Sequence, residues 1–109
     1  MGDISVAVRV VYNGGCDSSR DEFERLEAAI IDAFRNTEVT SDIPENIQNV
    51  RAELEPFEVF VNDFLVYSKR YARQYPDREE IVQVVQEVYN GVWPPRRIDG
   101  GRRIICNVL

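Results

Sequence analysis

The sequence predicts an α/β (α+β) domain in which a βαβ unit is followed by a ββα unit, so that helices cover a four-stranded mixed sheet. Three observations predict this order. A valine-rich run at residues 4–12 ends at a glycine pair, apolar residues recur at helical spacing in residues 19–35 and 77–90, and residues 57–68 alternate about a two-residue turn. A chain of 109 residues is long enough for one such domain with a single core.

The first strand and helix are predicted in the N-terminal third. Apolar character is nearly continuous in residues 4–12, which suits a strand that is covered on both faces. A helix is predicted at about residues 19–35, because Ser19 and Glu22 have the spacing of a capping box. The apolar residues that follow at helical spacing are Phe23, Leu26, Ile30, Ala33 and Phe34.

The segment after this helix carries mixed signals. Residues 38–43 suit a strand, residues 44–46 suit a turn, and residues 50–54 suit either a strand or a short turn of helix. A strand that follows a βα unit is expected to lie parallel to the first strand, which closes a right-handed βαβ unit.

Residues 57–68 have the pattern of a β-hairpin. Asn62-Asp63 supplies the turn, and residues 64–68 form the returning strand. The outgoing strand alternates Phe57, Val59 and Val61 with Glu58 and Phe60.

A second helix and a tail complete the chain. Asp77 and Glu80 repeat the capping pattern, Asn90-Gly91 ends the helix, and the buried stripe is Ile81, Val84, Val85 and Val88. Beyond Gly91 the chain is rich in Pro, Arg and Gly without a helical or strand period. The predicted organisation is therefore a domain at residues 1–92 and a flexible basic tail at residues 93–109.

Charge and hydropathy bound the function. The net charge is -6, yet the tail carries Arg96, Arg97, Arg102 and Arg103 against a single acid, Asp99. The acidic body argues against nucleic acid as a ligand, whereas the basic tail suits an anionic membrane surface. No run approaches the roughly 20 apolar residues of a membrane span, and the N-terminus lacks the features of a signal peptide, so we expect a cytoplasmic protein.

Cysteine is the residue type in this chain that is a candidate for catalysis. The chain has two cysteines, Cys16 and Cys106, and no histidine, which argues against a Cys-His nucleophile and against a metal site. Cys16 follows Gly14-Gly15 at the expected start of a helix, where unpaired N–H groups and the helix dipole favour a thiolate. Cys16 is therefore the candidate catalytic residue; the alternative is a small packed cysteine in a turn.

Two stretches resemble the selenoprotein W-type (Rdx) thioredoxin-like family. Residues 8–16, VRVVYNGGC, resemble its opening Val-Arg-x-x-Tyr-Cys-x-x-Sec/Cys. Residues 57–69, FEVFVNDFLVYSK, resemble its Phe-Glu-Val-x-Val-x-x-x-Leu-Val-x-Ser-Lys. Within the family the chain is most similar to migration and invasion enhancer-like proteins, which share an Asn-Gly after the last helix and a short tail that ends in a prenylated cysteine.

The resemblance implies a thioredoxin-like fold and thiol-redox chemistry at Cys16. Asn13 stands where the family has its first cysteine, so a Cys-x-x-Cys disulfide is impossible and the redox turn consists of Asn13, Gly14 and Gly15 before Cys16. Asn13 either donates a hydrogen bond to the sulfur or shapes the turn. We expect a redox protein that acts through a single cysteine, and the sequence leaves open whether it is an enzyme, a monothiol oxidoreductase. No tightly bound cofactor is expected, and the expected partners are glutathione and thiol or disulfide proteins.

Two further residues gain a role from the resemblance. Pro56 is either a cis proline beside the thiol turn or an ordinary trans proline that begins a strand. Cys106 lies in the C-terminal Cys-Asn-Val-Leu, a CaaX-like motif that points to geranylgeranylation with the arginines as a second membrane signal. Cys106 is otherwise a resolving thiol for Cys16. The alternative function is a non-catalytic, prenyl-anchored adaptor or signalling protein.

Overall fold

The computed structural model describes residues 5–43, 56–69 and 74–98. The elements, in chain order, are β1 (Ala7–Tyr12), α1 (Asp17–Ala33), β2 (Glu38–Asp42), β3 (Phe57–Val61), β4 (Phe64–Ser68) and α2 (Arg78–Tyr89). The turn predicted at residues 44–46 and the element predicted at residues 50–54 lie outside the described residues.

The four strands form one mixed sheet in the order β2-β1-β3-β4. β1 and β2 are parallel, with Val8 opposite Val39, and α1 connects them. β3 runs antiparallel to both β1 and β4. This sheet and its two helices confirm the predicted fold class and the parallel pairing of the second strand.

The core lies on one face of the sheet. A single cluster joins inward residues of β1 and β3, such as Val10 and Val59, to apolar residues of both helices, such as Leu26 of α1 and Val84 of α2. On β1 exposure alternates, and Val11 is only partly buried. The prediction that β1 is covered on both faces is therefore wrong, because a continuous apolar run does not distinguish a strand buried on both faces from one that places a valine on a partly open face.

The predicted hairpin is confirmed, and its turn is fixed by backbone conformation and by hydrogen bonds. Asn62 and Asp63 have φ angles of 49° and 68°, which is the left-handed region that asparagine and aspartate tolerate best. The Asn62 side chain accepts a hydrogen bond from Ala7 N at 2.7 Å and donates one to Ser5 O at 3.2 Å. The hairpin turn is thus tied to the start of β1.

The predicted limits and buried stripe of the second helix are confirmed. Asp77 is the N-cap residue, and its side chain accepts a hydrogen bond from Glu79 N at 3.0 Å. Asn90 is the C-cap residue, and Gly91 follows with a φ of 94°, where a glycine is favoured. The buried residues of the helix are Ile81, Val84, Val85 and Val88.

The chain continues to pack against the domain after α2. Ile98 is buried, and its N–H donates to Val66 O on β4 at 2.7 Å. Arg96 forms ion pairs with Glu80 at 3.3 Å and Glu87 at 3.1 Å. Packing therefore reaches Ile98, past the expected domain limit at residue 92, and residues from 99 onward lie outside the described part. Within the described ranges, no helix has the length and apolar character needed to cross a membrane.

Candidate thiol site

The thiol turn, residues 13–16, connects the end of β1 to α1. Cys16 N donates a hydrogen bond to Asn13 O at 3.0 Å, and Gly15 N donates to Asn13 Oδ1 at 3.0 Å. An asparagine side chain that accepts from the backbone two residues later is an Asx turn. The geometry therefore supports the turn-shaping role for Asn13.

The two glycines of this turn are under different steric demands. A Cβ on Gly14 would lie 3.0 Å from two side-chain carbons of Ile43, whereas a Cβ on Gly15 would meet Asn13 Oδ1 at an ordinary 3.5 Å. Neither glycine has a φ in the left-handed region. A side chain would therefore crowd the turn at Gly14 and not at Gly15.

Cys16 is the N-cap residue of α1. Its carbonyl accepts the first helical hydrogen bond from Arg20 N at 3.0 Å, and its side chain makes no capping hydrogen bond. The thiol is free and partly buried. The first-turn N–H groups and the positive end of the helix dipole surround this position, which is the setting in which a thiolate is favoured.

The predicted capping box at Ser19 and Glu22 is wrong, because α1 already begins at Asp17. Both side chains instead make buried long-range contacts. Ser19 Oγ lies 3.0 Å from Tyr75 Oη, and Glu22 Oε2 lies 3.0 Å from Arg78 Nη1, an ion pair that joins the two helices. The helix starts earlier because the Cys16 carbonyl already accepts its first bond. The sulfur consequently sits at the very start of the helix.

The Arg20 side chain lies across the thiol turn. Arg20 Nη2 donates to Gly14 O at 2.6 Å, and Arg20 Nη1 lies 3.8 Å from Asp17 Oδ1. Both side chains of that ion pair are largely exposed, so its contribution to stability is small. Arg20 therefore closes the turn mainly through its bond to the Gly14 carbonyl.

Tyr75 is a site residue that the sequence did not reveal. Its hydroxyl is bonded to Ser19, which follows Cys16 by three positions on α1. Burial is the main cause that raises the pKa of Tyr75; the hydrogen bond with Ser19 lowers it, and the charge and hydrogen bond of Cys16 raise it further. No local pattern links these residues, since Ser19 and Tyr75 are 56 positions apart and the sequence around Tyr75 has the composition of a connector.

Two residues of the β3-β4 hairpin region hold the Tyr75 ring. The Phe57 ring meets it edge-on, with centroids 5.2 Å apart, and Lys69 Nζ lies 4.4 Å from the Tyr75 centroid. Phe57 is also the register partner of Tyr12, the last residue of β1. The hairpin therefore brings Tyr75 to the end of the sheet from which the thiol turn leaves.

The other predicted site residues are only partly described. Pro56 precedes Phe57 and so lies toward the thiol end of the sheet, but the isomer of its peptide bond involves Glu55, outside the described residues, and stays a prediction. A cis bond is present at Trp93–Pro94. Cys106 lies outside the described residues. Among the residues that are described, no group of three or more Cys, Asp or Glu side chains is arranged to hold a metal ion.

Comparison with known proteins agrees with this architecture. A solved structure of a selenoprotein W-related protein from Vibrio cholerae superposes with a TM-score of 0.62 at 14% sequence identity, over 78% of this chain and 98% of that chain. At this identity the likeness shows the fold alone, which is the predicted thioredoxin-like one. No curated protein sequence matches the chain. The model of the Rdx family matches residues 7–87, which is well over half of the sequence. The chain therefore belongs to the Rdx family.

Proposed function

We propose that this protein is a single-cysteine thiol-redox protein in which Cys16 exchanges disulfides with glutathione and with protein thiols. Membership of the Rdx family implies a thioredoxin-like redox role at the level of the family. The observation that carries the proposal is the position of Cys16, a free and partly exposed thiol at the N-cap of α1, directly after the turn that ends β1.

The helix terminus supplies the electrostatics for this chemistry. A thiolate, rather than a thiol, is the attacking species in disulfide exchange. The backbone N–H groups of the first turn of α1 have no partners within the helix, and they carry the positive end of its dipole. The Cys16 thiol is free, partly exposed and without a capping bond, so a disulfide can approach its sulfur from solvent.

The exchange balances with glutathione as the second thiol. The Cys16 thiolate attacks the glutathione sulfur of a glutathionylated protein, a Cys16–glutathione disulfide forms, and the protein sulfur leaves as a thiolate. A glutathione thiolate then attacks the glutathione sulfur of this intermediate, oxidised glutathione leaves, and Cys16 returns as a thiolate. Over both steps, the mixed disulfide is reduced to a protein thiol, and one glutathione thiol is oxidised as it forms a disulfide with the glutathione that the mixed disulfide carried.

Asn13 explains why the second sulfur must come from another molecule. Its Oδ1 is engaged by Gly15 N inside the turn, and an asparagine cannot form a disulfide. The redox turn thus keeps the shape that presents Cys16 while it lacks an internal resolving thiol at the neighbouring position. Glutathione is the small thiol that fits this need.

The test uses the full chain and two matched variants, Cys16→Ser and Cys106→Ser. Each protein is incubated with oxidised glutathione at neutral pH, and intact mass spectrometry follows the addition of one glutathione. We expect Cys106→Ser to be modified at Cys16 faster when folded than in urea. We expect Cys16→Ser to lack this rapid modification. A rate in folded Cys106→Ser that is equal to the rate in urea, or lower, would mean that the fold does not activate Cys16 and would contradict the proposal.

The same pair of variants separates the redox function from the adaptor function. In a eukaryotic host, a prenyl group on Cys106 would add its mass to the wild type and to Cys16→Ser, and not to Cys106→Ser. The adaptor function replaces the redox function if Cys16→Ser retains cellular activity while Cys106→Ser loses both the lipid and the activity.

A further inference from the structure

The first turn of α1 carries a hydroxyl pair beside the thiol. Ser19 is fully buried, with 0% of its surface exposed, and its Oγ lies 3.0 Å from Tyr75 Oη. Ser19 follows Cys16 by three positions, and residues at this spacing are neighbours on one side of a helix. The hydrogen bond to Ser19 therefore holds the Tyr75 hydroxyl at the turn from which the Cys16 side chain projects.

The position of this hydroxyl is fixed by the packing of its ring. The edge-on Phe57 ring and the Lys69 ammonium contact the Tyr75 ring, and Lys69 is itself buried, with 6% of its surface exposed. An aromatic ring held by another ring, by a cation and by a hydrogen bond at its oxygen has little freedom to turn away. The hydroxyl is thus preorganised beside Ser19, on the first turn of α1.

We propose that Tyr75 is a positioning residue whose hydroxyl donates a hydrogen bond to the Cys16 thiolate, while the Ser19 hydroxyl donates to the Tyr75 oxygen. A phenol has one proton, so the bond to sulfur requires that Ser19 be the donor in the Ser19–Tyr75 pair. The direction of that pair is open in the geometry, and either oxygen can donate. This inference rests on the proposed redox function of Cys16.

The electrostatics of Tyr75 suit a donor. Because burial raises its pKa from an ordinary value of 10.0, the phenol keeps its proton throughout the pH range in which a cysteine ionises. A hydrogen bond to an ionised acceptor is stronger than one to a neutral acceptor. The proposed bond therefore stabilises the thiolate more than the thiol.

The test measures the pH profile of Cys16 alkylation by iodoacetamide in full-length protein that carries Cys106→Ser. Tyr75→Phe removes the hydroxyl and keeps the ring that packs on Phe57 and Lys69. A typical intramolecular hydrogen bond changes an equilibrium by about two- to tenfold, so we expect the midpoint of the profile to rise by about 0.3 to 1 pH unit. The rate at high pH, where the thiol is fully ionised, should not fall.

Ser19→Ala is the second variant, and it keeps the Tyr75 hydroxyl while it removes the proposed donor. Without the Ser19 hydroxyl, the Tyr75 hydroxyl is no longer oriented toward the sulfur by a hydrogen bond to its oxygen. We therefore expect the midpoint of the alkylation profile to rise by less than in Tyr75→Phe. Thermal unfolding of each variant shows whether the fold is retained. If Tyr75→Phe does not fold, the shift in Ser19→Ala decides the proposal.

The outcomes separate this inference from the redox function. The first outcome is that the pH profile of alkylation in the parent Cys106→Ser protein differs from that of its urea-unfolded state, while folded Tyr75→Phe has the same midpoint as the parent. This result overturns the role of Tyr75 and leaves the redox function standing. A parent profile that matches the unfolded state overturns both. A raised midpoint with an unchanged plateau in a folded Tyr75→Phe protein supports the inference.

Discussion

The two turns at opposite ends of β1 both contain an asparagine whose side chain forms hydrogen bonds, but the two asparagines differ in backbone conformation and in the residues that they bind. At the hairpin turn, Asn62 has a left-handed backbone, and its side chain reaches across the sheet to Ala7 and Ser5. At the thiol turn, the Asn13 side chain accepts a hydrogen bond from Gly15 N, two residues ahead, and neither glycine has a φ in the left-handed region. The hairpin turn is thus built for stability, whereas the thiol turn presents a side chain.

This contrast teaches where function and stability can be separated. Long-range contacts at the hairpin end connect strands that must pair for the sheet to form. At the thiol end, the long-range contacts from Tyr75 to Ser19 and from Arg78 to Glu22 lie on α1, just after the turn. Substitutions remote from the thiol turn should therefore change unfolding free energy without changing the reactivity of Cys16.

The largest effect is expected at the outer strand of the sheet. Ile98 is buried in the core cluster and hydrogen-bonded to β4, which is two strands away from β1. Ile98→Ala should lower the free energy of unfolding by about 2–4 kcal/mol, the range for removing a large aliphatic side chain from a core. Urea unfolding measures this loss, and the alkylation rate of Cys16 should stay unchanged while the protein is folded.

Val92→Ala is the matched control for Ile98. Val92 lies in the same connecting segment but is 47% exposed, so its truncation should change stability by less than about 0.5 kcal/mol. Equal effects of the two substitutions would contradict the packing of residues 93–98 against the domain. They would favour instead a tail that is free from residue 93, as its composition alone suggested.

The next effect is expected at the hairpin turn. Asn62→Ala removes both side-chain hydrogen bonds. It also places at a φ of 49° a residue that lacks the polar side chain with which asparagine offsets the cost of a left-handed backbone. We expect a loss of about 1–3 kcal/mol in urea unfolding. Asn62→Gly restores the backbone freedom and not the bonds, so it should recover about 1 kcal/mol of that loss. A change in Cys16 reactivity in the folded variants would break the separation between the two turns.

The same contrast explains how far the sequence alone could lead. The hairpin and the stripe of α2 were predictable because period-2 and helical spacing report directly on which residues are buried. The start of α1 was misplaced because Ser19 and Glu22 match a capping pattern, although they are used for contacts with residues 56 positions away. A local pattern cannot distinguish these two uses of the same side chains.

The site was predictable in one part and hidden in another. Cys16 stands out because a glycine pair precedes it and because the surrounding residues resemble a family motif. Tyr75 carries no such mark, since its role depends on how the hairpin and α1 meet, which is a property of the folded chain. Residues that act on a reactive side chain from another element are revealed only by tertiary structure.

The smallest effects are expected within the thiol turn, where the two glycines make the contrast sharper. Gly15→Ala adds a Cβ in ordinary contact with Asn13 at a φ outside the left-handed region, so it should leave stability unchanged or raise it by up to about 1 kcal/mol, because alanine restricts the unfolded chain. Gly14→Ala brings a Cβ to 3.0 Å from Ile43, whose side chain is half exposed and can shift, so we expect a loss below about 1 kcal/mol.

A double-mutant cycle decides whether Ile43 is the cause. In an Ile43→Ala background the loss caused by Gly14→Ala should vanish, while the effect of Gly15→Ala should persist, since only the first glycine contacts Ile43. Identical behaviour of the two glycines in both backgrounds would mean that the backbone of the turn needs them for its conformation. The thiol turn would then depend on its backbone conformation as the hairpin turn does, and the division between a stabilising end and a reactive end of the sheet would fail.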